Sequence, residues 1–175
     1  MMISKYLFPD IKHNSINDID VELLAKKGIK FAILDIDNTL VPYTSPKPDQ
    51  NALAFLGKLK ANGIDYCFVS NNSGKRIDIF NEEISAPAFS KAGKPLLFGI
   101  NKAMELLGAK TGNTMLIGDQ VFTDIFGGKR AKILTILVDP IKEVDTLFFR
   151  FKRYFERKII KSYENSKRGN NKWKN

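Results

Sequence analysis

The sequence predicts an α/β fold: a mainly parallel, five-stranded central sheet covered by helices on both faces. Three observations carry the prediction. Short apolar runs recur along the chain as far as Asp139. Helix-length amphipathic segments alternate with them, the pattern of a parallel sheet built from crossover units. The runs are continuous rather than alternating, as in strands buried on both faces.

The elements follow in order. Residues 1–18 are mixed and show no clear period. DVELLAKKG at 20–28 predicts a short helix, capped by Asp20 and ended by Gly28. IKFAILD at 29–35 is the first strand and TSPKPDQ at 44–50 a loop. NALAFLGKLKANG at 51–63 has helical periodicity and closes with Asn-Gly, before a second strand, IDYCFVS, at 64–70. NNSGKRIDIFNEE at 71–83 begins with cap-forming side chains and turns helical. SAPAFS at 85–90 is a short third strand, weakened by Pro87. PLLFGINKAMELLGAKTG at 95–112 is an amphipathic helix and NTMLIG at 113–118 the fourth strand. DQVFTDIFGGKRA at 119–131 is a polar loop with a short helix, and KILTILVD at 132–139 the fifth strand.

Bulk properties narrow the function classes. A chain of 175 residues, 43% hydrophobic, suits one domain with one core. The single cysteine, Cys67, excludes an internal disulfide framework and a cysteine-rich zinc site. It lies in an apolar run and is expected to be a buried small hydrophobe. The N-terminus carries no secretory pattern and no apolar run reaches the length of a membrane span, so the expected location is cytoplasmic. The net charge of +9 is uneven. Residues 147–175 hold ten Lys or Arg against two Glu, leaving the rest of the chain near neutral. The expected organisation is a domain over 1–146 followed by a basic, aromatic helix and tail over 147–175.

Ligands of open parallel sheets bind beyond the carboxyl ends of the strands. Four polar interruptions fall there. Asp35 ends the first strand, Ser70 ends the second, Lys94 follows the third and Asp119 follows the fourth. Asp35 and Asp37 are two residues apart and point the same way in an extended chain. Two such carboxylates can divide nucleophilic attack and proton transfer, and their repulsion calls for a cation such as Mg²⁺. The alternative is that they cap a following helix. Asp119 suits a direct metal ligand, and Asp124 a second ligand or an outer support. A surface turn with a helix cap would use the same acids. Ser70, Asn71 and Asn72 form a polar helix start that can take an anion or merely cap. Lys94 can hold a phosphate, or be one more solvated lysine. His13, the single histidine, falls in the polar N-terminal segment and reads as a surface residue.

DIDNTL, VSNN, KAGKP and GDQVFTD resemble, in order and spacing, the four motifs of the haloacid-dehalogenase (HAD) superfamily of phosphatases. They cover most of residues 31–139, and the acid at the second position of the first motif excludes a dehalogenase. The form of the motifs looks most like the YqeG-like group of subclass IIIA. The resemblance implies a Rossmann-like three-layer sandwich. It implies that Asp35 attacks phosphorus to form an aspartyl-phosphate, and that Asp37 serves as acid and then base. Asp35, Asp119 and the backbone carbonyl of Asp37 would hold Mg²⁺, with Asp124 in support. Ser70 and Lys94 would bind the phosphoryl group, while Thr39 and Asn71 would shape the substrate loop. Residues 38–70 and 73–93 leave no room for an inserted cap domain, so an open site is expected, suited to a phosphate displayed on something large.

In the tail, Phe148, Phe151, Phe155 and Ile159 form a helical apolar stripe, with Arg150, Arg153, Arg157 and Lys161 on the other side. Arg150, Lys152 and Arg153 are expected to face solvent. Such a helix suits an anionic membrane over residues 147–161, and its residue types also suit RNA. It could instead lay its apolar stripe on the domain. Residues 161–175 read as polar and frayed. The YqeG-like group resembles phosphatidylglycerophosphate phosphatases, which implies that lipid phosphomonoester as substrate. The rivals are a soluble or macromolecular phosphomonoester, and an RNA- or ribosome-associated binder with a vestigial site. The intact acid set argues against the last.

Overall fold

The structure, a computed structural model, describes residues 2–142 and 146–168, without the side chains of residues 2–4, 148, 149, 167 and 168. Helix α1 (Met2–Leu7) and strand β1 (Ile11–His13) precede α2 (Val21–Lys26) and β2 (Phe31–Leu34). Then come α3 (Gln50–Ala61), β3 (Asp65–Val69), α4 (Gly74–Asn81), β4 (Ala88–Phe89) and α5 (Leu97–Leu107). Strand β5 (Thr114–Gly118) leads through a π-helical turn, Val121–Ile125, into α6 (Phe126–Arg130), β6 (Leu134–Val138) and α7 (Leu147–Arg168).

The sheet is parallel with strand order β1-β6-β5-β2-β3-β4. Among the described residues it has six strands, one more than the sequence predicts. The extra strand is β1, which pairs with β6 at the edge. Three half-buried residues, Ile-Lys-His, offer neither an apolar run nor a period to detect. Asp10 helps to anchor this edge, since its Oδ2 accepts from the Thr135 N–H (2.9 Å) and hydroxyl (2.8 Å).

Successive strand residues are buried on opposite faces of the sheet. Ala32, Leu34, Tyr66, Phe68, Met115 and Ile117 enter the core on one face. Ile33, Cys67, Val69 and Leu116 enter that on the other, with Ile100 and Ala103 of α5. Both sides being dry explains the continuous apolar runs. The expected cap forms at α2, where Asp20 accepts from the Leu23 N–H (2.9 Å). Asp49, in a stretch read as a loop, caps α3 by accepting from the Ala52 N–H (2.8 Å), and Ser73 at the start of α4 makes no side-chain cap. Among the described residues no helix is long and apolar enough to cross a membrane.

Helix α7 departs from expectation in three ways. It runs on to Arg168, so residues 161–168 are helical rather than frayed, and residues 169–175 lie outside the described ones. Its docked side carries Glu156 and Tyr163, both buried, and Ile159 and Ile160, which pack on Val121, Ile125 and Leu137. Phe151, Tyr154 and Phe155 face outward, and the side chain of Phe148 lies outside the described ones. Finally, Lys152 and Arg153 turn inward instead of into solvent. Of the predicted stripe Ile159 docks while Phe151 and Phe155 do not, and the docked side also carries Arg153 paired with Asp119.

Candidate active site

The sheet order reverses between β5 and β2, and the predicted site residues gather at that switch point, beyond the strands' carboxyl ends. Leu34 is in register with both Phe68 and Ile117. Residues that follow β2, β3 and β5 are therefore brought side by side. The Asp35 N–H still bonds Ile117 O (3.0 Å), so the first acid leaves the sheet in strand geometry. The chain then turns sharply. Asn38 adopts a left-handed φ of 64°, which Asn tolerates better than most residues, and the Leu40 N–H returns to Ile36 O (2.9 Å).

Asp35, Asp119 and Asp124 are all buried and bring carboxylate oxygens within 4.8 Å of one another. Lys94 joins them. Its ammonium lies 2.6 Å from Asp35 Oδ1 and 2.7 Å from Asp124 Oδ1. The lysine is 5% exposed, which removes the reading of one more solvated cation. Thr39 donates its hydroxyl to Asp35 Oδ2 (3.0 Å). Asp124 Oδ2 accepts from the Gln120 N–H at 3.1 Å and from the Thr123 hydroxyl. Gly118 permits this approach, since a Cβ there would lie 2.3 Å from Asp124 Cγ.

The electrostatics match the crowding. Burial pushes the Asp35 carboxyl up to about 6; Lys94 pulls against that, and Asp124 and Asp37 add to it. Burial lifts Asp119 to about 7 against the pull of Arg153, with Asp35 and Asp124 adding to the rise. Burial alone would lower Lys94, but Asp124 and Asp35 hold it well above the usual lysine range.

A cleft of about 400 Å³ opens onto Asp35 and Lys94, while Asp119 and Asp124 are not among its lining residues. Asp37, Ser70, Asn72 and Lys152 are among its lining residues. Asp37 is held by Arg76, whose Nη2 lies 2.9 Å from Oδ1, and by the Asn72 amide (3.2 Å). Asn71 spends both ends of its amide on the backbone of Lys94: Nδ2 donates to the carbonyl (2.9 Å) and Oδ1 accepts from the N–H (2.7 Å). Asn71 thus positions the lysine. Thr39 stands behind Asp35 and is not among the residues lining the cleft. Ser70 is buried and accepts from the Asn72 N–H (3.0 Å). His13 lies on edge strand β1, outside the cleft lining.

No cap is inserted between the motifs, but the site is not bare. Helix α7 supplies Lys152 to the cleft wall, where its ammonium donates to Gln120 Oε1. Next to it, Arg153 pairs with Asp119 Oδ2 and donates to the Asp119 carbonyl (2.7 Å).

The chemistry of this donor set fits a hard divalent cation. All three acids offer oxygen, and Asp119 Oδ1 is buried without a hydrogen-bond partner. Such an orphan is costly unless something occupies its lone pairs.

Comparison with known proteins accords with this. A family described as HAD-hydrolase-like matches residues 91–140, the stretch containing Lys94, Asp119 and Asp124. A probable phosphatase, YqeG, of Bacillus subtilis is 34% identical over 98% of this chain and 99% of its own. The chain belongs to the HAD phosphatase family, in its YqeG-like group. Phosphatidylglycerophosphate phosphatase 1 of Arabidopsis thaliana is 24% identical over 91% of this chain, which spans 49% of that protein. A HAD-superfamily hydrolase of Ehrlichia chaffeensis shares the fold, with a TM-score of 0.53 at 16% identity over 77% of this chain and 98% of its own.

Within this HAD site, sequence reasoning missed Arg76, Lys152, Arg153 and Glu156. Arg76 lies in a segment read only as a helix start. The α7 residues lie in a stretch whose charge invited a solvent or membrane reading. A local signal existed for one pair: Arg153 and Glu156 are three apart on one helix face, and their ions meet at 3.0 Å.

Proposed function

We propose that the protein is a Mg²⁺-dependent phosphomonoester hydrolase that works through an aspartyl-phosphate on Asp35. One observation carries the reading: three buried carboxylates converge beside a buried lysine, Asp35 and Lys94 of that cluster line a cleft, and an oxygen of Asp119 is left unpartnered. Asp35, Asp119 and Asp124 would hold the cation, together with the Asp37 carbonyl. When bound, it would offset the repulsion among the carboxylates and the charge on the phosphoryl oxygens.

The chain's own groups supply the rest. Asp35 Oδ attacks phosphorus, the phosphorus–oxygen bond to the alcohol breaks, and Asp37 gives that alcohol its proton. Asp37 then takes a proton from water, which attacks the aspartyl-phosphate and releases inorganic phosphate. Arg76 and Asn72 keep the Asp37 carboxylate aimed at the cleft. Lys94, positioned by Asn71, neutralises charge on the transferring group. Ser70 binds the same group, and Thr39 holds Asp35.

The proposed substrate is phosphatidylglycerophosphate at the surface of an anionic membrane, reached by a cytoplasmic protein. Beside the cleft, α7 turns Phe151 (66% exposed), Tyr154 and Phe155 outward, with Arg150, Arg157, Lys158 and Lys161 also exposed. Aromatic rings among cations suit the interface of an anionic bilayer. The plant relative's name supports the same substrate class. The domain over 1–146 and the helix over 147–168 then act as one enzyme, since both line the cleft.

The test is release of phosphate from vesicles carrying phosphatidylglycerophosphate, set against a panel of soluble phosphomonoesters, with Mg²⁺ and with chelator. Faster Mg²⁺-dependent turnover on vesicles supports the lipid reading. Faster turnover on a soluble ester redirects the substrate. No turnover of any phosphomonoester ends the hydrolase reading.

A further inference from the structure

We infer that Arg153 is a positioning residue for the cation site, so that α7 completes the active centre instead of merely flanking it. The inference rests on the proposed cation reading of the acid cluster. It starts from the two oxygens of Asp119, which have different fates. Oδ2 is paired with the Arg153 guanidinium, while Oδ1 is buried and has no hydrogen-bond partner. The same guanidinium also donates to the Asp119 carbonyl (2.7 Å). Gripping backbone and side chain together fixes the torsions between them. Asp119 is therefore held with one oxygen occupied and the other left free of any hydrogen-bond partner, in a residue that clusters with Asp35 and Asp124.

An arginine beside a cation site could be a rival for it. Charge accounting speaks against that. Arg153 arrives with its own counter-ion, since Glu156 Oε2 lies 3.0 Å from Nη1. Glu156 is 1% exposed, and its other oxygen accepts the Phe122 N–H (3.2 Å), one residue into the π-helical turn that carries Asp124. The Arg153–Glu156 pair brings no net charge to the cluster. What it brings is orientation, through a forked donor that lysine cannot reproduce. With Glu156 buried and Arg153 half-buried, the pair also ties α7 to the segment holding two of the three acids. Hydrogen-bond partners of metal ligands commonly set affinity by 10- to 100-fold.

The experiment is Mn²⁺ binding to the full chain, read by loss of the free-ion electron paramagnetic resonance signal, without substrate. Arg153→Met should bind Mn²⁺ about 10- to 100-fold more weakly than the wild type. Arg153→Lys keeps the charge and the stem, so it guards against a folding defect; it should still be several-fold weaker. Turnover of both variants should recover as Mg²⁺ is raised, which a purely structural lesion would not do. Circular dichroism and thermal unfolding report whether each variant is folded. Equal affinity in folded wild type and variants overturns the assignment alone. Tighter binding in Arg153→Met also overturns it, because the arginine would then be a competitor. A folded wild type that binds no Mn²⁺ removes the cation reading and this assignment together.

Discussion

Lys94 Nζ lies 2.6 Å from Asp35 Oδ1, and both side chains are nearly closed to solvent. The proposed nucleophile is thus already paired before any substrate arrives. Removing one member of a buried pair leaves the other uncompensated, at a cost of about 3 to 5 kcal/mol. Lys94→Met should therefore destabilise the metal-free protein by about 3 kcal/mol near pH 8. The loss should shrink near pH 5, where Asp35, pushed up to about 6 by burial, takes a proton. Urea unfolding at the two pH values reads both effects.

Gly118 is the close-approach point of the site. A methyl group there would overlap Asp124, with Cβ 2.3 Å from Cγ. Gly118→Ala should cost about 1 to 3 kcal/mol by overpacking, and it should displace Asp124. Mn²⁺ affinity should fall along with thermal stability. An alanine variant with wild-type Mn²⁺ affinity would exclude Asp124 from the cation site.

The pH dependence has a definite sign. Asp35 and Asp119 titrate near 6 and 7 in the fold, against 3.8 for an ordinary aspartate. Between those values the folded, metal-free chain binds more protons than the unfolded one. The stability contributed by these two groups therefore falls as pH rises through that window. Cation binding needs the charged forms, so stabilisation by Mg²⁺ should grow over the same window. Melting temperatures with and without Mg²⁺, at about pH 5 and pH 8, check this. The Asp119→Asn variant should flatten the difference.

The outward rings of α7 give a cleaner membrane test than deleting the tail, because Glu156 and Tyr163 are buried in the docked face. Phe151 and Phe155 touch edge to face at 4.9 Å, and both are exposed. Replacing both by Ala should weaken binding to anionic vesicles by about 10-fold while leaving Mn²⁺ affinity intact. Vesicle co-sedimentation at two salt concentrations reads the change. Unchanged binding would assign the membrane contact elsewhere.

The legible part of the fold was the part written locally. Strands β2, β3, β5 and β6 each announce themselves as an apolar run, and each ends in or just before a polar residue. That is why Asp35, Ser70 and Asp119, which follow β2, β3 and β5, could be placed at one sheet edge, with Lys94 after the short strand β4 beside them. What escaped was written in pairs distant in sequence. Strand β1 has only three residues and forms because β6 offers an edge and Asp10 grips Thr135. The inward turn of α7 depends on Arg153 meeting an acid 34 positions earlier in the chain. The roles of Asn71 and Thr39 as supports likewise rest on partners that only the folded turns bring near.

The most direct measurement is a crystal structure grown with Mg²⁺ and beryllium fluoride, a stable mimic of a phosphorylated aspartate. The account predicts beryllium bonded to an Asp35 oxygen, with a Mg²⁺ ion about 2.1 Å from oxygens of Asp35 and Asp119. Beryllium fluoride bound away from Asp35, or a cation that leaves Asp119 Oδ1 without a partner, would contradict it.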